Sequence, residues 1–113
     1  MTEDFAVKII EFHFGIKKSG IDSMARQLFN SGTSVGANVR EAQNAESKRD
    51  FIHKMKIAAK EADETEYWLE LCRRSPLLPN PGELQQEIVS ISKVLTKIIA
   101  TTKLNLTRST RIN

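Results

Sequence analysis

Apolar and small residues recur along this chain at alternating steps of three and four, the spacing that gathers side chains on one face of an α-helix. The first run is Phe5, Ile9, Phe12 and Ile16. The second is Ala25, Leu28, Gly32, Val35, Val39 and Ala42. The third runs unbroken through Phe51, Met55, Ala58, Ala62, Thr65, Leu69 and Cys72. The last is Leu84, Ile88, Ile91, Leu95 and Ile98. Four seams predict four helices.

Local signals set their ends. The first helix spans from about Glu3 to Lys18, with Glu3 and Asp4 suited to the positive end of its dipole, Lys17 and Lys18 to the negative end, and Gly20 as a stop. The second starts at Asp22 or Ser23, either of which is a capping residue, and runs about 25 residues to Ala45 or Glu46. Ser47-Lys48-Arg49-Asp50 reads as a capping box with Asp in place of Glu, opening a third helix that continues from about Lys48 to Arg74. Ser75-Pro76 stops it and LLPNPG makes a loop. Asn80 then caps the fourth helix, Pro81 takes its first turn and Glu83 reaches back. The tail from about residue 104 is polar, a composition that frays. Short connections between four helices predict an all-α, antiparallel up-down-up-down four-helix bundle, a single domain over residues 1–113 without internal repeats.

Two glycines sit on or beside the second seam. Each costs roughly 1 kcal/mol relative to Ala in a helix interior. Gly32 and Gly36 therefore point to close approach of another helix, and the small residues Ala58 and Ala62 make the third helix the expected partner. The alternative is that Ser31-Gly32-Thr33-Ser34 is a turn between two short helices.

Two helices carry a second face. Val7, Ile10 and Phe14 form one on the first helix; Ile57, Glu61, Glu64, Trp68 and Leu71 form one on the third. A helix apolar on two sides is buried on two sides. These eight residues are the expected oligomer interface, against the alternative of a solvated flank with a half-buried Trp.

Composition narrows the function classes. Apolar residues are 40% and charged residues 27% of 113, the balance of a soluble globular chain. No apolar run approaches the 18 residues of a membrane span, and MTEDFAVK is not a secretory signal. A lone cysteine, Cys72, cannot form an intrachain disulfide, which fits a cytoplasmic protein with no membrane partner. Asn105-Leu106-Thr107 matches a glycosylation acceptor by chance in that setting.

Little of the sequence carries reaction chemistry. The histidines are His13 and His53, and Asp50-x-x-His53 is one carboxylate–histidine metal motif, with Asp for Glu, where a di-iron bundle needs two and two further inward glutamates. Cys72 continues an apolar seam, so it reads as core rather than nucleophile. We expect no metal, no cofactor and no enzymatic activity.

Charge is more informative. The net charge is +3. In an up-down bundle Lys48, Arg49, Lys103, Arg108 and Arg111 gather at one end, and Lys17, Lys18, Arg73 and Arg74 at the other. Lys48 and Arg49 oppose the dipole at the start of the third helix. The five at the first end are candidate contacts to RNA or DNA phosphates. The alternative is that they only solvate the surface; no aromatic platform for unpaired bases accompanies them.

The stretches SGTSVGANVREAQNAESKRDF (residues 31–51) and KIAAKEADETEYWLELC (residues 56–72) resemble the four-helix-bundle proteins encoded in 23S-rRNA intervening sequences of bacteria. The resemblance covers about Phe5 to Cys72. That family is similar to the accessory protein of diversity-generating retroelements, and both are associated with homopentameric bundles. The resemblance implies a homopentamer in which polar positions such as Asn38, Glu41, Glu61, Glu64 and Glu66 serve the bundle or its assembly. The expected function is a non-enzymatic, oligomeric assembly or nucleic-acid-binding accessory. The alternatives are a protein–protein adaptor that uses the Ile57–Leu71 stripe and a small metal-dependent bundle enzyme.

Overall fold

The computed structural model describes the backbone of residues 1–112 and the side chains of residues 1–108. Four helices form: α1 (Thr2–Lys18), α2 (Asp22–Gln43), α3 (Lys48–Arg74) and α4 (Glu83–Ile112). Each packs antiparallel on the next. Glu3 of α1 reaches Arg40 of α2, Glu41 of α2 reaches Lys54 of α3, and Glu70 of α3 reaches Gln85 of α4. The fourth seam, between α1 and α4, is much the thinnest. The result is the up-down-up-down four-helix bundle that the periodicity predicts, 57 × 22 × 20 Å in extent.

The four seams supply the core. Phe5, Ile9 and Ile16 meet Leu28 and Val35, Ala58, Ala62 and Leu69, and Ile88 and Ile91, all essentially inaccessible. Periodicity misplaces some seam residues: Phe12, Val39, Phe51 and Ile98 are only half-buried, and Ile52 rather than Phe51 is buried at the start of α3. A polar pair is buried between α2 and α3. Ser31 Oγ and Thr65 Oγ1 are hydrogen-bonded at 3.0 Å, and Thr65 Oγ1 lies 2.7 Å from the Glu61 carbonyl oxygen.

The ends of α1 and α3 follow the sequence signals. Gly20 takes φ +85° just after α1, and Ser47 Oγ accepts from the Asp50 N–H at 3.0 Å. Three other ends differ. Neither Asp22 nor Ser23 caps α2; half-buried Ile21 holds that position and its carbonyl accepts from Ala25 N–H. α2 stops at Gln43, two to three residues early, because the Asn44 amide donates to the Arg40 carbonyl while Asn44 and Ala45 N–H turn to carbonyls three residues back. α4 begins at Glu83 rather than at Pro81, because Gly82 adopts φ +57° and breaks the helical path. The Asn80 carboxamide oxygen accepts from Gly82 N–H in a turn that precedes the helix. At its other end α4 stays helical to Ile112, beyond the point where its polar composition suggests fraying.

Candidate functional site

α2 runs unbroken through Gly32 and Gly36, which excludes a turn there. The helix that approaches Gly32 is α1 rather than α3. A Cβ placed on Gly32 would sit 2.7 Å from Ile9 Cγ2 and 3.0 Å from Ile9 Cγ1. Gly36 faces the first residue of α1, where a Cβ would lie 3.4 Å from Thr2 Cβ, an ordinary contact. Close approach is thus confined to Gly32. The α2–α3 contact expected at the glycines is made instead through Ser31 and Thr65.

The outer stripes differ in how far their own chain covers them. Val7, Ile10 and Phe14 are 54%, 38% and 53% exposed. Phe14 stacks on the His13 ring at 4.4 Å, which in turn meets Phe29 of α2 at 4.9 Å. On α3, Ile57, Glu61, Glu64, Trp68 and Leu71 are all half-buried, and Trp68 and Leu71 pack against the core. Trp68 Nε1–H donates to Glu64 Oε1 at 3.4 Å. Partial burial raises the Glu61 carboxyl above its ordinary range, and Glu64 adds to the effect.

The basic candidates fall where antiparallel packing sends them. Lys48 and Arg49 are exposed at the start of α3; Lys103 and Arg108 are exposed on the last part of α4 beside it. The Arg111 side chain lies outside the described residues. Lys103 is in contact with Lys56 across the α3–α4 pair, and the proximity of two ammonium groups holds Lys103 below the usual lysine value. Lys54 is the α3 lysine that pairs with Glu41, at 3.3 Å. At the opposite end Lys17, Lys18 and Arg74 are exposed, while Arg73 is taken up by Glu70, which also accepts from Gln85.

Chain comparison places this architecture. A family model described as "23S rRNA-intervening sequence protein" matches residues 1–97. The chain belongs to the 23S rRNA-intervening sequence protein family. It is also similar, at 40% identity and a TM-score of 0.75, to a crystallised protein of unknown function from the S23 ribosomal protein family of Bacteroides thetaiotaomicron, over 87% of this chain and 94% of that one. None of the curated proteins compared with it matches significantly.

Within this intervening-sequence family member the chemistry-bearing groups lie apart. Cys72 is buried and its thiol is pushed up to about 11 by desolvation. His53 is exposed on α3, and His13 faces α2. Among the described residues no three His, Cys, Asp or Glu side chains come together in a metal-holding group, and no helix is long and apolar enough to cross a membrane. An open cleft lies between α1 and α4, lined by Phe5, Lys8, Glu87 and Ile91 and bridged by a 2.6 Å Lys8–Glu87 ion pair. Sequence reading offers Lys54, Lys56 and Lys60 in the interior of α3 as partners of Glu41 and not as a nucleic-acid surface. The signal for one is present: Arg49, His53, Lys56 and Lys60 follow at steps of four, three and four, the seam spacing carried by charge.

Proposed function

We infer that this protein is a non-enzymatic, self-assembling helical bundle that serves as a nucleic-acid-binding accessory, with a homopentameric ring as its assembled form. Segregation of charge carries the reading. Residues 47–60 and 88–113 hold ten of the seventeen Lys and Arg and only one of the fourteen Asp and Glu. The first segment is the first half of α3; the second is α4 from Ile88 on, whose last part, with Lys103 and Arg108, lies beside it at one end, while Lys93 and Lys97 lie farther along the side. The modest net charge therefore conceals a strongly basic pair of segments and an acidic remainder. Such a field draws in phosphate backbones and releases their counterions. The family's description by a 23S rRNA intervening sequence is in keeping with a nucleic-acid setting.

Assembly rests on the second faces. Val7, Ile10 and Phe14 form an apolar stripe that one copy leaves in water, and the half-buried Ile57, Trp68 and Leu71 offer a surface to a neighbour. A closed ring covers both without leaving an open end, and the family resemblance favours five copies. The non-enzymatic reading rests on the dispersal of Cys72, His13 and His53 through the bundle.

Light scattering should report a mass well above one chain, lowered by Trp68→Glu. Binding of labelled RNA or DNA should weaken steeply with salt and with Lys48→Glu plus Arg49→Glu. A monomer at micromolar concentration overturns the assembly. An oligomer indifferent to nucleic acid at low salt overturns the binding role and leaves an adaptor that uses the Ile57–Leu71 stripe.

A further inference from the structure

We propose that the outer face of the α3–α4 pair is a track for the phosphodiester backbone of double-helical nucleic acid, with Lys56 of α3 and Lys103 of α4 among its phosphate contacts. The proposal rests on the nucleic-acid reading above and moves the site from the end of the bundle to its side.

Arg49, His53, Lys56 and Lys60 line one exposed face of α3. At 1.5 Å per residue they span about 16 Å, close to five base-pair steps of 3.4 Å. Lys103 of α4 meets this line at Lys56, and exposed Lys93, Lys97 and Arg108 continue the positive charge along α4. From Ile88 onward α4 contains no Asp or Glu. Among the described residues none of Arg49, Lys56, Lys60 and Lys103 has a carboxylate within 4.0 Å, whereas Lys8, Arg40, Lys54 and Arg73 elsewhere all do.

Cations lined up without carboxylate partners repel one another, and a polyanion supplies a phosphate oxygen to accept from them at every step along the stripe. The duplex is the form that fits. Unpaired bases need aromatic faces to stack on, and the stripe has none; the nearest exposed aromatic, Tyr67, lies beyond Lys60 in the acidic half of α3. A membrane surface needs a row of apolar anchors beside the cations; the α3 line from Arg49 to Lys60 has none, and Val94 and Leu104 of α4 stand singly. Ile57 and Glu61 lie on the other flank of α3, so a neighbour seated there leaves the track open.

The test measures fluorescence anisotropy of a labelled 20-base-pair duplex, as RNA and as DNA, across a salt series. Its comparison arms are a single strand of the same length and vesicles of phosphatidylserine and phosphatidylcholine. Lys56→Gln plus Lys103→Gln should weaken duplex binding on the order of tenfold or more near 0.1 M salt and flatten the log–log salt slope by about 2. Lys17→Gln plus Lys18→Gln at the opposite end should change neither, and circular dichroism should show both variants fully helical. Unchanged affinity and slope in the Lys56/Lys103 variant, with wild type still binding, overturn the track and leave the broader reading standing. Tighter binding to the single strand or to vesicles than to the duplex overturns the track as well. Failure of the wild type to bind any nucleic acid overturns both.

Discussion

Gly32→Ala should destabilise this protein, although glycine-to-alanine in a helix interior ordinarily stabilises by about 1 kcal/mol. The added methyl carbon would stand 2.7 Å from Ile9 Cγ2 and 3.0 Å from Cγ1, closer than carbon atoms approach. Ile9 is completely inaccessible and branched at Cβ, so its side chain has no free rotamer to retreat into. Overpacking of this kind costs about 1–3 kcal/mol. Set against the propensity gain, the net loss is about 1 kcal/mol, or about 4 °C in Tm. The decisive measurement is a double-mutant cycle by urea and thermal unfolding. Ile9→Ala alone should cost about 2–5 kcal/mol. In that background Cγ1 and Cγ2 are both gone, so Gly32→Ala should become stabilising by about 1 kcal/mol and partly refill the space. The same substitution thus changes sign with its neighbour. Gly36→Ala, with its ordinary 3.4 Å contact to Thr2, should be neutral or stabilising in either background. A stabilising Gly32→Ala in the wild-type chain, or a coupling with Ile9 below about 0.5 kcal/mol, refutes the close contact.

Three further outcomes are expected. Thr65→Val keeps the shape of Thr65 but strips Ser31 of its 3.0 Å partner, and should cost about 1–3 kcal/mol in urea unfolding; adding Ser31→Ala should recover much of that loss. Ser47→Ala removes the side-chain cap on the Asp50 N–H and should cost about 1 kcal/mol, read from the urea midpoint. The buried Cys72 thiol, raised from 9.0 to about 11, holds its proton to higher pH in the folded state than in the unfolded one. Stability from this group is therefore full below the unfolded value and lost as pH rises towards 11, and a thiol reagent at pH 8 should label Cys72 readily in urea but only slowly in the native protein.

The helices were legible because their seams depend on spacing alone, and a core position reads the same whichever neighbour covers it. What spacing leaves open is which helix lies across a given seam. Gly32 announced a close approach but not that Ile9 of α1 makes it, because α1 and α3 present equally suitable small or branched residues to α2. Helix ends depend on atoms rather than periods: the Asn44 amide and the φ of Gly82 moved two boundaries that capping patterns had placed elsewhere. The charged line from Arg49 to Lys60 has the same regularity as the apolar seams. Spacing leaves open which lysine of α3 pairs with Glu41 of α2; the structure gives that pair to Lys54 and leaves Lys56 and Lys60 facing outward.

The thin α1–α4 seam has a consequence for how the chain folds. Three of the four helix interfaces join neighbours in sequence, so most native contacts form across short loops. A topology of this kind folds fast, because little chain entropy is lost before each pair gains its contacts. Only the α1–α4 seam joins distant segments, and it does so over a short stretch centred on the Lys8–Glu87 pair. Its loop closure is the most expensive and the least rewarded. The α1–α4 seam is therefore the last to form and the first to part, while the α1–α2, α2–α3 and α3–α4 pairs remain packed.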